Sequence, residues 1–366
     1  MKLMSKNIII LYFALLFVLG LSAEVRGSAV QWQSSSLRLV AEHGCYARMI
    51  RLKNGEILCC YQRKGEIRVK GSRDDGKSWG DAICVTSYKQ GLAANPELLQ
   101  LRNGRILLCY NERPDDGESP YGISVVFSDD RGKSWGKSKR IFEAGRTMAA
   151  GCWEPAALQF PDGEIQIYFS NEAAYVYSND QEISVMRSKD GGASWLGPKT
   201  LSFRDGARDG MPVPCLLKDG KTVVVAIEDN GLNGIMKPVI LRDSTENRWQ
   251  KSIIAGSCKA RVAALLKPLP KSIYAGAPYI CQMPSGVTLL SVQSRERRSS
   301  EEPAVYVGDS QARNFSNRTY PFKLKPGVSG CWNSLFVKNS DTVTLISTTK
   351  IDGKSGIWTI NGTVVR

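Results

Sequence analysis

The octapeptide SRDDGKSW at residues 72–79 returns as SDDRGKSW at 128–135 and as SKDGGASW at 188–195. In the shared pattern S-x-D-x-G-x-S-W, short polar side chains can bond backbone groups of their own turn, and glycine permits the positive φ of a tight reversal. The tryptophan then offers a large flat surface for burial between neighbouring elements. One such octapeptide is a weak signal; three in phase mark a repeat architecture. A faded copy ends at Trp249, after Asp243 and Ser244. The spacing lacks the bidentate glutamate and alternating ligands of an EF-hand loop, so the octapeptides read as structural turns.

Working outward, a second repeat surrounds the first. CYARMIRLKNGEILCCYQ, ANPELLQLRNGRILLCYNE, CWEPAALQFPDGEIQIYFSNE, GMPVPCLLKDGKTVVVAIED, AGAPYICQMPSGVTLLSVQS and SGCWNSLFVKNSDTVTLIST each pair two strand-like runs across a short turn. Their turn positions are Gly55, Gly104, Gly163, Gly220, Gly286 and Asp341, in steps of 49, 59, 57, 66 and 55 residues. Each step holds a four-stranded blade with its loops. The expectation is an all-β, six-bladed β-propeller built as one domain over residues 30–366.

Residues 1–23 read as a signal peptide: Lys2 and Lys6, an apolar run from Ile8 to Leu21, then Ser22 and Ala23, with Ala29 as an alternative cut. That stretch holds two lysines and no acids, so the formal charge of +14 becomes +12 on its removal. Export makes nucleic acid a poor partner for this basic surface, and a secreted or periplasmic location follows. Ten cysteines occur without any C-x-x-C, and His43 is the sole histidine. Those counts argue against a zinc site and against most Ser-His-Asp chemistry. Cys45 and Cys331, each ten residues before a turn position in blades that become neighbours on ring closure, suggest a latching disulfide.

In every hairpin the start of the first strand and the end of the second lie at one end of the blade, with the turn at the other. The octapeptides fall at the turn end, so the functional rim is expected opposite them. Alignment on the turns puts Tyr46, Asn95, Glu154, Met211, Ala277 and Trp332 in one register. Two residues on come Arg48, Glu97, Ala156, Val213, Tyr279 and Ser334, and the second strands end at Arg63, Glu112, Asn171, Glu228, Ser294 and Thr349. Carboxylates, arginines and aromatics therefore converge on one rim, a composition suited to sugars. Glycoside hydrolysis needs one protonated and one ionised carboxyl group. Glu154, between Trp153 and Pro155, suits the acid/base; Glu228, followed by Asp229, Asn230 and Gly231, suits the nucleophile, although the residue types also allow the reverse. Tyr46, Arg48, Asn95, Glu97, Glu112, Asn171, Arg208, Arg261, Tyr279 and Trp332 are the candidate substrate contacts, with Glu112 and Glu172 as possible partners of Glu154.

The octapeptide is similar to the Asp-box of the sialidase-like, or BNR-repeat, superfamily, whose members include sialidases, exo-arabinanases and non-catalytic binding propellers. The segments CWEP around Glu154, DGMPVPCLLKDGKTVVVAIED ending near Glu228, and AGAPYICQMPSGVTLLSVQS resemble the exo-α-1,5-L-arabinanases of glycoside hydrolase family 93. That resemblance implies catalysis by Glu154 and Glu228, retention of configuration, no metal or cofactor, and a monomer releasing short arabino-oligosaccharides from a chain end. A sialidase instead requires three arginines, for which Arg48, Arg261 and Arg242 are available, and a tyrosine nucleophile such as Tyr279 or Tyr306. A non-catalytic carbohydrate-binding propeller is the third reading.

Overall fold

The computed structural model describes residues 27–232 and 234–365; the expected leader at 1–23 lies outside them. The described chain forms six four-stranded antiparallel sheets. Blades 1 to 5 each run from an inner strand outward: Cys45–Arg51, Gly91–Gln100, Cys152–Gln159, Asp209–Leu216 and Ala275–Gln282 are the inner strands. The sixth blade starts at Cys331–Val337, and its outermost strand is Ala29–Glu42, from the other end of the chain. This strand pairs with Lys354–Val365 from Ala29↔Val365 to Glu42↔Gly356 and closes the ring. Cys45 and Cys331 are both free thiols, so the expected latch is replaced by strand pairing.

The core is divided among the blade junctions, apart from a small cluster in which Tyr46, Met211 and Ala277 of three inner strands meet. Six apolar clusters each join two neighbouring blades, as where Leu58, Cys60 and Val69 of blade 1 meet Leu98, Leu108 and Tyr110 of blade 2. Adjacent cysteines show how alternation builds this: Cys59 faces the blade 6 junction and Cys60 the blade 2 junction. Trp79, Trp135 and Trp195 pack at successive junctions.

Each octapeptide closes on its own aspartate. Asp130 accepts the Ser134 N–H at 2.8 Å and the Ser134 hydroxyl at 2.6 Å, while Ser128 Oγ accepts the Gly132 N–H at 2.8 Å. These donors hold the Asp130 carboxyl down at about 2. Blade 4's faded copy works similarly, with Asp243 accepting the Trp249 N–H at 2.5 Å. Blade 5 has a version hidden from the motif: Asp309 accepts the N–H groups of Gln311 and Arg313, and Phe315 is buried in the tryptophan's place.

The inner strands share one irregularity. Tyr46, Asn95, Glu154, Met211, Ala277 and Trp332 all adopt left-handed backbone, with φ between 47° and 54°, and each sits in a register shift against its partner strand. These are β-bulges, one per blade, at a conformation that non-glycine residues hold only under surrounding constraint. Much of that constraint comes from the preceding blade. Gln62 Oε1 accepts the Asn95 N–H at 2.8 Å, Ser170 Oγ the Met211 N–H at 2.9 Å, Glu228 Oε2 the Ala277 N–H at 2.7 Å and Thr348 Oγ1 the Tyr46 N–H at 3.2 Å. Gln293 Oε1 accepts from Trp332 in the same way, whereas Asn111 Nδ2 donates to the Cys152 carbonyl at 2.8 Å. A belt of inter-blade hydrogen bonds thus circles the axis.

This belt corrects the alignment drawn from sequence. Five hairpin turns close between residues four apart, as Leu52 N–H to Glu56 O, but blade 4 closes from Leu217 to Thr222. The added residue shifts Glu228 by one, into register with Gln62, Asn111, Ser170, Gln293 and Thr348 instead of Glu112 and Asn171. A one-residue slip reverses the facing of every side chain beyond it.

Candidate active site

The bulge of blade 3 and the belt position of blade 4 open on one cavity of about 570 Å³, walled by Arg113, Trp153, Glu154, Glu172, Arg208 and Glu228. Glu154 and Glu228 are both half-buried in this wall. Removal from water pushes the Glu154 carboxyl up to about 7; Arg113 opposes the shift, and the Glu228 charge adds to it. Ser170 Oγ donates to Glu154 Oε2 at 3.3 Å. Burial also raises the Glu228 carboxyl, but two features favour its ionised form: the Ala277 N–H at 2.7 Å and the Arg208 charge.

The support expected from Asp229, Asn230 and Gly231 comes from elsewhere. Alternation sends Asp229 to the opposite face, where it binds Arg261 at 2.7 Å and Arg204 at 2.9 Å, and Asn230 Oδ1 accepts the Arg208 N–H at 2.8 Å. Trp153 likewise does more than supply an apolar wall. Its indole N–H donates to Glu172 Oε1 at 3.1 Å, which also accepts from Gln181 at 2.5 Å and from Arg208. Glu172 therefore anchors one cationic wall of the cavity.

Of the expected contacts, Arg208 lies in the cavity wall with the two glutamates. Tyr46, Arg48, Glu97 and Tyr279 form a separate cluster near the axis. The Arg48 guanidinium lies over the Tyr46 ring at 4.1 Å and the Tyr279 ring at 5.1 Å, with its Nε 3.4 Å from Glu97 Oε2. Burial pushes the Glu97 carboxyl up to about 7 despite that cation. Trp332, 37 % exposed, tilts against Tyr46 at 5.8 Å. Asn95 accepts a hydrogen bond from Arg113 and so reaches the cavity indirectly.

Three further expected contacts lie outside the cavity wall, each bound to partners of its own. Glu112 is committed to Arg140 and to Ser124 Oγ at 2.7 Å. Asn171 donates to Ser184 Oγ at 3.0 Å on the outer side of its strand, as the register correction requires. Arg261 is 9 % exposed and clamps Asp209 and Asp229, which face each other across the first two strands of blade 4. Those strands continue into Gly210 and Glu228, so the triad fixes the site from behind. Arg113 and Gln181 were missed. Arg113 was findable, because it stands two residues beyond Asn111 and shares its facing.

Residues 104–276 match the family described as BNR repeat-like domain. No curated protein matches the chain in sequence. Among solved structures, it is similar to the GH93 α-L-arabinofuranosidase of Fusarium graminearum in complex with arabinobiose, at 19 % identity and a TM-score of 0.68 over 88 % of this chain and 93 % of that one. The Penicillium chrysogenum α-L-arabinanase complexed with arabinobiose gives 16 % and 0.66 over 92 % and 97 %. The NanB sialidase of Streptococcus pneumoniae gives 9 % and 0.62 over 90 % and 70 %. At these identities the likeness to the solved structures is one of fold alone.

Proposed function

We propose that the cavity is the active site of an exo-acting, retaining glycoside hydrolase that releases short arabino-oligosaccharides from α-1,5-L-arabinan. The observation that carries this reading is one cavity holding two half-buried glutamates in different electrostatic settings. Glu154, with its proton retained up to about 7, donates it to the departing glycosidic oxygen. Glu228, tethered at Oε2 and facing Arg208's charge, attacks the anomeric carbon and forms a glycosyl ester. Glu154 then takes a proton from water, whose oxygen displaces Glu228 and leaves a sugar of retained configuration. Carboxyl groups about 5–5.5 Å apart suit this course.

A sialidase reading is disfavoured by where its arginines go. Arg48 is buried against Glu97 and two tyrosines, Arg261 is held by two aspartates, and Arg242 donates to the Gln311 carbonyl at 2.6 Å. Arabino-oligosaccharides are neutral, and the two cavity arginines, Arg113 and Arg208, are occupied in bonding Asn95, Asn111 and Glu172. Secretion after cleavage near Ala23, a single domain from residue 30 and action as a monomer without metal or cofactor belong to the same proposal. Among the described residues, no helix is long and apolar enough to cross a membrane.

The purified protein is incubated with linear arabinan and, separately, with a sialyl-glycoside. Arabinan is expected to yield short products whose anomeric configuration, followed by NMR, is retained. Glu154→Gln and Glu228→Gln are each expected to lose at least about 10²-fold in kcat. Absence of turnover by the wild type on both substrates, or full activity in both variants, rejects the assignment; tight sugar binding without turnover identifies a binding propeller.

A further inference from the structure

Immediately before the left-handed residue, the six inner strands carry Cys45, Ala94, Trp153, Gly210, Gly276 and Cys331. Glycine occurs only in blade 4, which carries Glu228, and in blade 5, which donates to it. Neither glycine has a left-handed φ, so the backbone conformation does not demand them. What distinguishes them is the missing Cβ. A Cβ on Gly276 would stand 2.5 Å from the Tyr274 hydroxyl and closer still to Glu228 Oε2. On Gly210 it would stand 2.8 Å from Gln181 Oε1 and 3.1 Å from Glu228 Oε1. The carboxylate therefore lies between two glycines, with one oxygen toward each.

We infer that Gly210 and Gly276 are positioning residues, forming a slot that admits the Glu228 carboxylate to the cavity wall and fixes the direction of its oxygens. The inference rests on reading Glu228 as a catalytic group. Elsewhere on the belt the side chain that accepts the next blade's N–H is a neutral hydroxyl or amide, from Gln62, Ser170, Gln293 or Thr348. Blade 4 alone assigns this bond to a carboxylate, which ties Oε2 to Ala277 and leaves Oε1 beside Gly210. The atoms that a new Cβ would meet are the outer ends of side chains. An alanine is then accommodated by moving Glu228 rather than the strand, and the fold survives while the geometry does not.

The test uses the full chain. Gly276→Ala is expected to keep the thermal midpoint within a few degrees, lower kcat about 10²-fold and leave KM within several-fold. A titration of carboxyl-labelled protein followed by 13C NMR, with Glu228→Gln identifying the signal, should show the Glu228 carboxyl rising further in Gly276→Ala as it loses the Ala277 N–H. If Glu228→Gln is inactive while Gly276→Ala keeps full kcat, the slot is rejected and the catalytic reading stands. If Glu228→Gln keeps its activity, or the wild type cleaves nothing, the catalytic reading fails and the titration judges the slot: an unchanged Glu228 signal overturns it, a raised one supports it. Should Gly276→Ala not fold, Gly210→Ala carries the same measurements, since its Cβ meets only side-chain atoms.

Discussion

At Glu154, burial and the Glu228 charge raise the carboxyl to about 7, with Arg113 opposing them. An acid must be protonated to act, so activity on a cleaved glycoside should fall as pH rises through about 7. The acidic limb belongs to Glu228, which must be ionised and whose carboxyl lies above its ordinary value, so activity should fade above the usual carboxylate range as pH drops. A pH profile of kcat/KM without an alkaline limb near 7 would remove Glu154 from the acid role. Stability moves in the same window by linkage. A carboxyl raised in the folded state costs stability as pH climbs from its unfolded value near 4.5 to about 7, and relieves that cost on the acid side. Glu154→Gln should therefore raise the melting midpoint at pH 8 and lose the advantage below pH about 4.5.

Between residue and ring lies the strand pair of blade 4, where Arg261 joins Asp209 and Asp229 in the interior. Replacing that arginine by methionine leaves the buried Asp209 without a cation and Asp229 with Arg204 alone, a loss of about 3–5 kcal/mol. Because those aspartates adjoin Gly210 and Glu228, kcat should fall with KM little changed, and calorimetry with kinetics on Arg261→Met checks both. A stable variant with unaltered kcat would reduce the triad to mere packing. The same strand pair shows what was legible in the sequence. The hairpins and three octapeptides read correctly because their alternation and turn chemistry are local. The facing of Glu228 relative to Glu112 and Asn171 depended on one additional residue in the blade 4 turn, Leu217–Thr222, which hydropathy does not distinguish from its shorter counterparts. Blade 5's Asp309 turn was hidden because Phe315 replaces the tryptophan. Glu154 and Glu228 could be picked out because each stands on an apolar strand near the chosen rim, and Arg113 could have been by its facing, whereas the bonds by which Glu172 gathers Gln181 and Arg208 have no spacing to betray them.

Across the whole molecule, six junction cores and one belt repeat the same solution, and the left-handed residue of each blade is supported largely from its neighbour. No blade is complete alone, which ties the cavity's shape to closure of the ring. Closure falls to Ala29–Glu42, the first strand described, which pairs with the last. The first described strand is thus seated on the last: until Lys354–Val365 is in place, Val30 has no partner strand and its face of the blade 6 core stays open. Contacts so distant along the chain are slow to form, because the entropy of loop closure precedes any reward from packing. Joining the C-terminus to Gly27 by a short linker and reopening the chain before Cys45 would turn that distant pairing into an ordinary hairpin. Stopped-flow refolding of the permutant should be faster than that of the natural order, at nearly the same equilibrium stability, and an equal rate would place the slow step in another blade.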